Sequence, residues 1–267
     1  MRARRAWLAG ALAAAGMLAA CIDITVDGDQ LGSIEFVPYA YPSVNAGDTL
    51  RNTAGALAPL QARVFRNDGT VDEEAAVTFI ALDTTVTIAG QWLIGRPLGT
   101  AASATARIVA TIDGLQSSPR LITVVPVPDS VARDGSTSLV DLRYSFPPAA
   151  TDTVPTFGAR VTRRNGAAVV GVPGYVVAFQ VFKGTQAIVV TDTAGSYVLT
   201  DDAGRPSTVD TTDASGLASR RLVFRLRTGQ PARDTVRVLA DVRRGSRIPI
   251  DSAIAWTVRV APRGVTP

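Results

Sequence analysis

Residues 105–112 read TARIVATI, and Asp113 and Gly114 follow directly. The side chains divide into two alternating faces, Ala106, Ile108, Ala110 and Ile112 against Thr105, Arg107, Val109 and Thr111. A period of two residues is typical of a β-strand with one buried face. Asp-Gly favours a tight turn between antiparallel strands. The stretch therefore predicts a half-buried strand that ends in a hairpin turn.

The same alternation continues on both sides of this strand. It predicts further strands within residues 34–37, 49–52, 60–65, 77–82, 92–94, 120–125, 138–146, 157–164, 175–183, 188–191, 197–200, 222–226, 235–243 and 254–260. Trp92 and Trp256 fall on these patterns, so we expect both in the core. The single helix-like piece, residues 54–62, is short and is interrupted by Pro59. The chain is therefore predicted to be all-β.

Residues 125–129 read VPVPD and mark a boundary between two halves. Alternating prolines favour an extended, semi-rigid backbone, and proline is confined to strand ends and edges. We therefore predict a first domain over residues 33–126, a second over 127–261 and a tail over 262–267.

The first half resembles the group 2 bacterial immunoglobulin-like domain over residues 33–125. The resemblance rests on AGDT at 46–49, ARV at 62–64, DG at 68–69, VTF at 77–79, VTI at 86–88, GQW at 90–92, GTA at 99–101 and residues 106–114. Phe79 stands where that family usually has tryptophan, and the stretch after Gly99 is longer than usual.

The second half resembles the invasin/intimin-like group of bacterial immunoglobulin-like domains. The resemblance rests on ARVTRRNG at 159–166, GYVVAFQVF at 174–182 and TTDASGLA at 211–218. This half is longer than a typical member, so residues 130–155 add either an edge strand or a long loop. Together the two resemblances imply tandem immunoglobulin-like β-sandwiches and a role in adhesion or in protein or glycan contact.

The amino terminus has the order of a secretory signal. Residues 1–5 are basic, residues 6–20 carry no charge, and LAAC at 18–21 ends on the only cysteine of the chain. The segment resembles a bacterial lipoprotein signal, which implies that residues 1–20 are removed and that Cys21 is acylated. The alternatives are a membrane span, for which the uncharged run is shorter than the required ~20 residues, and a secreted protein with an incidental cysteine. Residues 21–32 then form a tether. In lipoproteins an aspartate directly after the acylated cysteine favours retention in the inner membrane, so the resemblance implies that Ile22 at this position favours the outer membrane.

Composition narrows the chemistry. The formal charge of +4 falls to about +1 when the three arginines of residues 1–20 are removed, and the remaining basic residues are spaced rather than clustered, so we expect no nucleic-acid partner. There is no histidine, and no free thiol remains once Cys21 is acylated. Ser-His and Cys-His catalysis, zinc sites built on these residues and disulfides are thereby excluded. We expect no cofactor.

Two sets of residues are candidates for binding. Tyr39 and Tyr41 can stack on a sugar or a partner, although aromatic residues at this place also cover the edge of a sandwich. Four aspartates are weak calcium candidates, since carboxylates are calcium ligands, but each also suits an ordinary turn: Asp201, Asp202, Asp210 and Asp213.

Two further sets carry charge. Arg220, Arg221, Arg225 and Arg227 form either a stripe for an anionic ligand or a soluble sheet face that resists edge pairing. The glutamates, Glu35, Glu73 and Glu74, are not paired with an aspartate by their position in the sequence, so no glycosidase-like carboxylate pair is predicted.

These observations predict a non-enzymatic cell-envelope lipoprotein that presents immunoglobulin-like domains as a stalk or as an adhesion or protein-interaction surface. The alternative is a glycan-binding lipoprotein that captures polysaccharide. The partners are then the membrane, reached through Cys21, and an unidentified surface protein or glycan.

The anchor is testable directly. We expect the native protein to begin at Cys21 and to carry the added mass of its acyl chains, because two or three chains hold a protein stably on a bilayer. Mass spectrometry of the intact protein measures both properties. Retention of residues 1–20, or an unmodified Cys21 thiol, would contradict the prediction.

Overall fold

The computed structural model describes residues 29–135, 137–145, 152–227, 233–243 and 253–264. Within these ranges the chain contains strands and turns but no helix, and so no helix that is long and apolar enough to cross a membrane. The predicted signal segment, Cys21 and most of the tether lie outside the described residues.

The first half of the described chain forms a β-sandwich. Its strands are β1 (Leu31–Phe36), β2 (Ser43–Asn45), β3 (Ala62–Arg66), β4 (Thr78–Ala81), β5 (Val86–Ala89), β6 (Trp92–Gly95), β7 (Ala104–Ile112), β8 (Leu115–Gln116) and β9 (Arg120–Val125). One sheet has the order β2-β9-β7-β4, with β8 paired to β7. The pairs β1-β3 and β5-β6 lie outside this sheet, and the Leu60 amide donates to the Gln91 carbonyl at 2.8 Å between them.

The second half forms another sandwich. Its strands are β10 (Ser130–Arg133), β11 (Leu139–Tyr144), β12 (Thr156–Asn165), β13 (Ala168–Gly171), β14 (Val176–Lys183), β15 (Gln186–Ile188), β16 (Tyr197–Thr200), β17 (Val209–Thr211), β18 (Leu217–Phe224), β19 (Asp234–Arg243) and β20 (Ile254–Pro262). One sheet has the order β10-β12-β18-β16, and the other has the order β11-β20-β19-β14-β15. Two short strands join these sheets, β13 beside β12 and β17 beside β14.

Strand order identifies the architecture. When β10, β12, β14, β16, β18, β19 and β20 are lettered A to G, one sheet contains A-B-E-D and the other contains C-F-G, which is the immunoglobulin arrangement. In the first sandwich β1 pairs with β3 and β5 pairs with β6, which correspond to A-B and E-D. Its β4, β7 and β9 are neighbours in one sheet and correspond to C-F-G. The prediction of an all-β chain with two tandem immunoglobulin-like sandwiches is confirmed. Residues 130–155, left open between an edge strand and a loop, contain both β10 and β11.

Aromatic and aliphatic side chains fill the space between the sheets. The alternation along β7 holds, since Ala106, Ile108 and Ala110 are fully buried. In the second sandwich the Phe157 and Trp256 rings meet edge to face, with centroids 5.3 Å apart. The buried residues form one continuous hydrophobic cluster that runs through both sandwiches.

Some expectations differ from the structure. Trp92 is only half-buried, because the inward position of β6 is taken by its neighbour Leu93, which is 0% exposed. Val109 is 1% exposed although its position in the alternation places it on the polar face of β7. Residues 49–52 form isolated bridges rather than a strand. The first strand begins at Leu31, within the segment assigned to the tether.

The connection between the sandwiches is short and held at both ends. β9 ends at Val125 and β10 begins at Ser130, and the intervening Pro126 and Pro128 are buried. The Asp129 amide donates to the Thr162 carbonyl at 3.0 Å, while its carboxylate accepts from the Arg164 amide at 2.7 Å. The linker is therefore part of the packed structure.

The core of the second sandwich predicts the effect of truncating its aromatic pair. Phe157→Ala should lower the free energy of unfolding by about 3–5 kcal/mol, because it leaves a cavity beside Trp256. Denaturant unfolding followed by tryptophan fluorescence measures the change. Val169→Ala, at a side chain that is 66% exposed, is the control and should stay within about 0.5 kcal/mol of wild type. Equal effects of the two substitutions would contradict this packing.

Candidate functional site

Buried polar groups join the two sandwiches. We call this contact the junction, and it consists of Tyr41, Ser43 and Asn45 from the first sandwich and Gly174, Tyr175, Val176 and Arg243 from the second. Both tyrosines are 1% exposed, and Ser43 and Asn45 are 2% and 4% exposed. Polar side chains at this depth require hydrogen-bond partners, since an unpaired buried group costs about 1–3 kcal/mol.

The Tyr41 hydroxyl forms two hydrogen bonds across the junction. It donates to the backbone carbonyl of Arg243 at 2.5 Å and accepts from the backbone amide of Val176 at 2.8 Å. These groups lie at the end of β19 and at the start of β14, which are neighbours in one sheet. One side chain of the first sandwich thus bridges two strands of the second.

Ser43 and Asn45 on β2 extend the contact. The Ser43 hydroxyl donates to the Gly174 carbonyl at 2.8 Å, and the Tyr175 hydroxyl donates to Asn45 Oδ1 at 2.5 Å. The rings of Tyr41 and Tyr175 also pack edge to face, with centroids 6.2 Å apart. Both sandwiches therefore supply donors, acceptors and aromatic surface to the same buried contact.

A buried threonine fixes the loop that carries Tyr175. Thr212 Oγ1 accepts from the Tyr175 amide at 2.9 Å and donates to the Val172 carbonyl at 2.9 Å. The Thr212 backbone also donates to the Tyr175 carbonyl at 2.8 Å and accepts from the Gly174 amide at 2.9 Å. Because Thr212 is itself 4% exposed, the loop is held from inside the second sandwich.

Two glycines allow neighbouring backbone segments to approach β2 closely. Gly174 has a φ of +76°, and a Cβ at this position would lie 2.9 Å from the Ser43 Cβ. A Cβ at Gly95 would lie 2.4 Å from the Asn45 carbonyl oxygen. Any larger residue at either position must move β2, so the junction depends on glycine at both.

The two tyrosines predicted to contact a ligand have different environments. Tyr41 is 1% exposed because its side chain lies inside the junction, so a ligand in solution would reach almost none of its surface. Tyr39 is half-buried and borders a surface groove of about 540 Å³ whose other lining residues are Pro38, Ala40, Tyr41, Pro42, Pro119, Arg120 and Leu121. The Tyr39 hydroxyl donates to the Arg120 carbonyl at 3.1 Å, and burial raises its pKa while the Arg120 charge partly offsets this.

Two of the four calcium candidates, Asp201 and Asp213, serve separate turns. Asp201 binds Arg205 through the Arg205 amide at 2.9 Å and the guanidinium at 2.8 Å, and Asp213 accepts from the Ser215 and Leu217 amides. Asp210 accepts from the Ser219 amide and pairs with Arg220, while Asp202 is exposed. In the part of the chain that the structure describes, no three acidic, cysteine or histidine residues are placed to hold a metal ion.

Hydrogen bonds lower the pKa of two of these carboxyl groups. For Asp213 the largest cause is the Ser215 hydroxyl, and for Asp201 it is the Arg205 backbone amide. Both carboxylates therefore favour the ionised form that accepts these turn hydrogen bonds.

The predicted arginine stripe is divided. Arg220 is 7% exposed and pairs with Asp210 at 3.1 Å, whereas Arg225 and Arg227 are exposed and both donate to the Thr193 carbonyl at 3.1 Å. The glutamates, Glu35, Glu73 and Glu74, are exposed. Neither set forms an enclosed site.

Sequence reasoning missed most of the junction. Ser43 and Asn45 lie in a short segment with no motif, and Gly174 and Thr212 were noted only as parts of the stretches that carry the resemblance of the second half. The available signal was the two tyrosines themselves, Tyr41 and Tyr175, because a tyrosine hydroxyl that becomes buried needs a partner.

Comparisons with known proteins give structural similarities only. No protein-family profile and no curated protein matches the chain. The adhesin InvE of Yersinia pseudotuberculosis is similar at 16% identity over 87% of this chain and 60% of that one, with a TM-score of 0.32. The D00-D0 domain of intimin is similar at 14% identity over 85% of this chain and 99% of that one, with a TM-score of 0.29.

An enzyme is also among the similar structures. The endo-fucoidan hydrolase MfFcnA4 of glycoside hydrolase family 107 matches at 12% identity over 88% of this chain and 30% of that one, with a TM-score of 0.36. This chain therefore spans less than two thirds of the InvE structure and about a third of the hydrolase. The fold assignment rests on the strand topology given above.

The turn geometry predicts the response to calcium. The melting midpoint should be the same with calcium and with a chelator, because Asp201 and Asp213 already accept hydrogen bonds from their own turns. Asp213→Ala should lower stability by about 1 kcal/mol in both conditions through the loss of those bonds. Thermal unfolding with each additive measures this. A midpoint that falls on chelation in wild type but not in Asp213→Ala would instead identify a calcium site.

Proposed function

We propose that the chain is a non-enzymatic protein of the bacterial cell envelope, anchored through acylated Cys21, whose two sandwiches form a rigid stalk. The stalk presents the far end of the chain, or its sides, as an adhesion or protein-interaction surface. The observation that carries the proposal is the junction, which joins the sandwiches through buried hydrogen bonds rather than a flexible linker.

Rigidity follows from the cost of bending the chain between the sandwiches. Separation of the sandwiches would expose two tyrosine rings and would break the hydrogen bonds of Tyr41, Ser43 and Asn45. Water can replace some of these bonds, but the apolar contact and the packed Pro126 and Pro128 would also be lost. Domains joined by small, polar interfaces move relative to each other by default, whereas a contact that buries aromatic rings and specific hydrogen bonds opposes such motion.

The membrane part of the proposal is supported by the sequence. The basic start, uncharged run and LAAC ending at Cys21 imply an acylated amino terminus, and the tether places the first sandwich near the bilayer. Among the described residues, no three acidic, cysteine or histidine side chains are placed to hold a metal ion. A structural or interaction role fits this combination of features.

Distance measurements between the sandwiches test the stalk. Cysteines introduced for Thr87 and Ala167, which are exposed on the first and second sandwich, can carry spin labels, because acylated Cys21 would not compete. Pulsed electron paramagnetic resonance on the anchored full chain should give one narrow distance distribution. Gly174→Ala should broaden it, because the new methyl group meets Ser43 and the backbone is strained at positive φ.

A matched glycine separates these two causes. Gly184 also has a positive φ, +61°, but nothing lies within 4 Å of a Cβ built there. Gly184→Ala therefore introduces the backbone strain without a clash at the junction and should keep the distribution narrow. A broad distance distribution in the spin-labelled chain that keeps both Gly174 and Gly184 would overturn the rigid stalk.

A further inference from the structure

Each sandwich contains one parallel strand pair that links its beginning to its end. In the first sandwich β2 runs parallel to β9, with Ser43 opposite Thr123 and Asn45 opposite Val125. In the second, β11 runs parallel to β20, from Leu139 opposite Thr257 to Tyr144 opposite Pro262. The other strand pairs are antiparallel in the ranges that the structure covers.

Traction along the chain loads these parallel pairs in a particular way. A pull on the two ends draws β2 towards its amino terminus and β9 towards its carboxyl terminus. Because the two strands point in the same direction, they must slide past each other, and their hydrogen bonds are loaded together rather than one after another. The same holds for β11 and β20.

The two pairs differ greatly in length. β11 and β20 are paired along all of β11, whereas β2 consists only of Ser43–Asn45. By strand pairing alone, the first sandwich would resist sliding much less than the second. However, Ser43 and Asn45 of β2, and Tyr41 just before it, are the residues whose side chains bond to the second sandwich.

We propose that the second sandwich braces β2 of the first, so that the junction bears tension along the chain. This inference rests on the proposed stalk, since only an anchored chain with a bound partner is pulled from both ends. Sliding of β2 then requires rupture of its bonds to Gly174 and Tyr175 as well as those to β9.

Register explains why β2 cannot slip gradually. A shift of one residue would turn the side chains of Ser43 and Asn45 to the other face of the strand. Their partners, the Gly174 carbonyl and the Tyr175 hydroxyl, would then lose these bonds inside the junction. The strand is therefore held in a single register until the junction opens.

Single-molecule pulling on the full chain, with handles at its two ends, tests the brace. Tyr175→Phe removes only the hydroxyl that binds Asn45, and the first sandwich should then unfold about five-fold faster at constant force. The unfolding rate of the second sandwich should not change. The two events are distinguished by extension, because the second sandwich is the longer one.

Tyr197→Phe is the matched control. The Tyr197 hydroxyl is also buried and donates to Asp234 Oδ2 at 2.9 Å, but this bond lies within the second sandwich. This substitution should leave the unfolding rate of the first sandwich unchanged. An equal acceleration of that rate by both substitutions would overturn the brace.

A change of pulling direction separates bracing from a general loss of stability. A handle at Thr87 on β5, paired with one at the carboxyl end, leaves β2 outside the line of force. The Tyr175→Phe acceleration should then largely disappear, and an acceleration of the same size in both directions would overturn the brace. An unchanged rate with end handles, together with a narrow distance distribution, would overturn the brace and leave the stalk intact.

Discussion

Buried tyrosine hydroxyls at the junction constrain the whole arrangement of this chain. A phenol ring can be buried at little cost, but its hydroxyl must find partners that are fixed in position. Tyr41 finds them on two strands of the second sandwich, and Tyr175 finds its partner on the first. Each hydroxyl thus bonds to the other sandwich, so both domains bury polar groups against their neighbour at this end. Since these bonds already hold one sandwich against the other, the linker between them can be short.

The period of hydrophobic residues predicted the fold because each sandwich has two sheets with one buried face. The alternation along β7 and β20 predicts their inward residues, and Trp256 is buried as expected. Trp92 is the exception, since the alternation in a strand of four residues does not show which of its two faces is inward. Leu93 takes the buried position there, and the larger ring remains at the surface. Short strands such as β2 and β17 are invisible to periodicity for the same reason.

The junction was hidden from the sequence because its parts come from three separate segments, residues 41–45, residues 174–176 and Arg243. Tyr41 was recognised as a candidate for contact with another molecule, and that property is used within the chain instead. Nothing in the local sequence tells a tyrosine that stacks on a ligand from one that is buried against a neighbouring domain. In the same way, the local sequence does not tell an aspartate that binds calcium from one that stabilises a turn. The structure assigns Asp213 to a turn, because its carboxylate accepts hydrogen bonds from the Ser215 and Leu217 amides.

A line of buried contacts connects the interior of the second sandwich to the first. Arg220 points inward from β18 and pairs with Asp210 on β17. A partly buried ion pair contributes little net stability, since desolvation offsets attraction, and here it links β18 to β17, which also pairs with β14 through its backbone. Thr212 follows β17 directly and holds the loop that carries Tyr175, which binds Asn45. An inward arginine, which a purely hydrophobic pattern would not place there, thus pairs with the strand that leads into the loop contact between the domains.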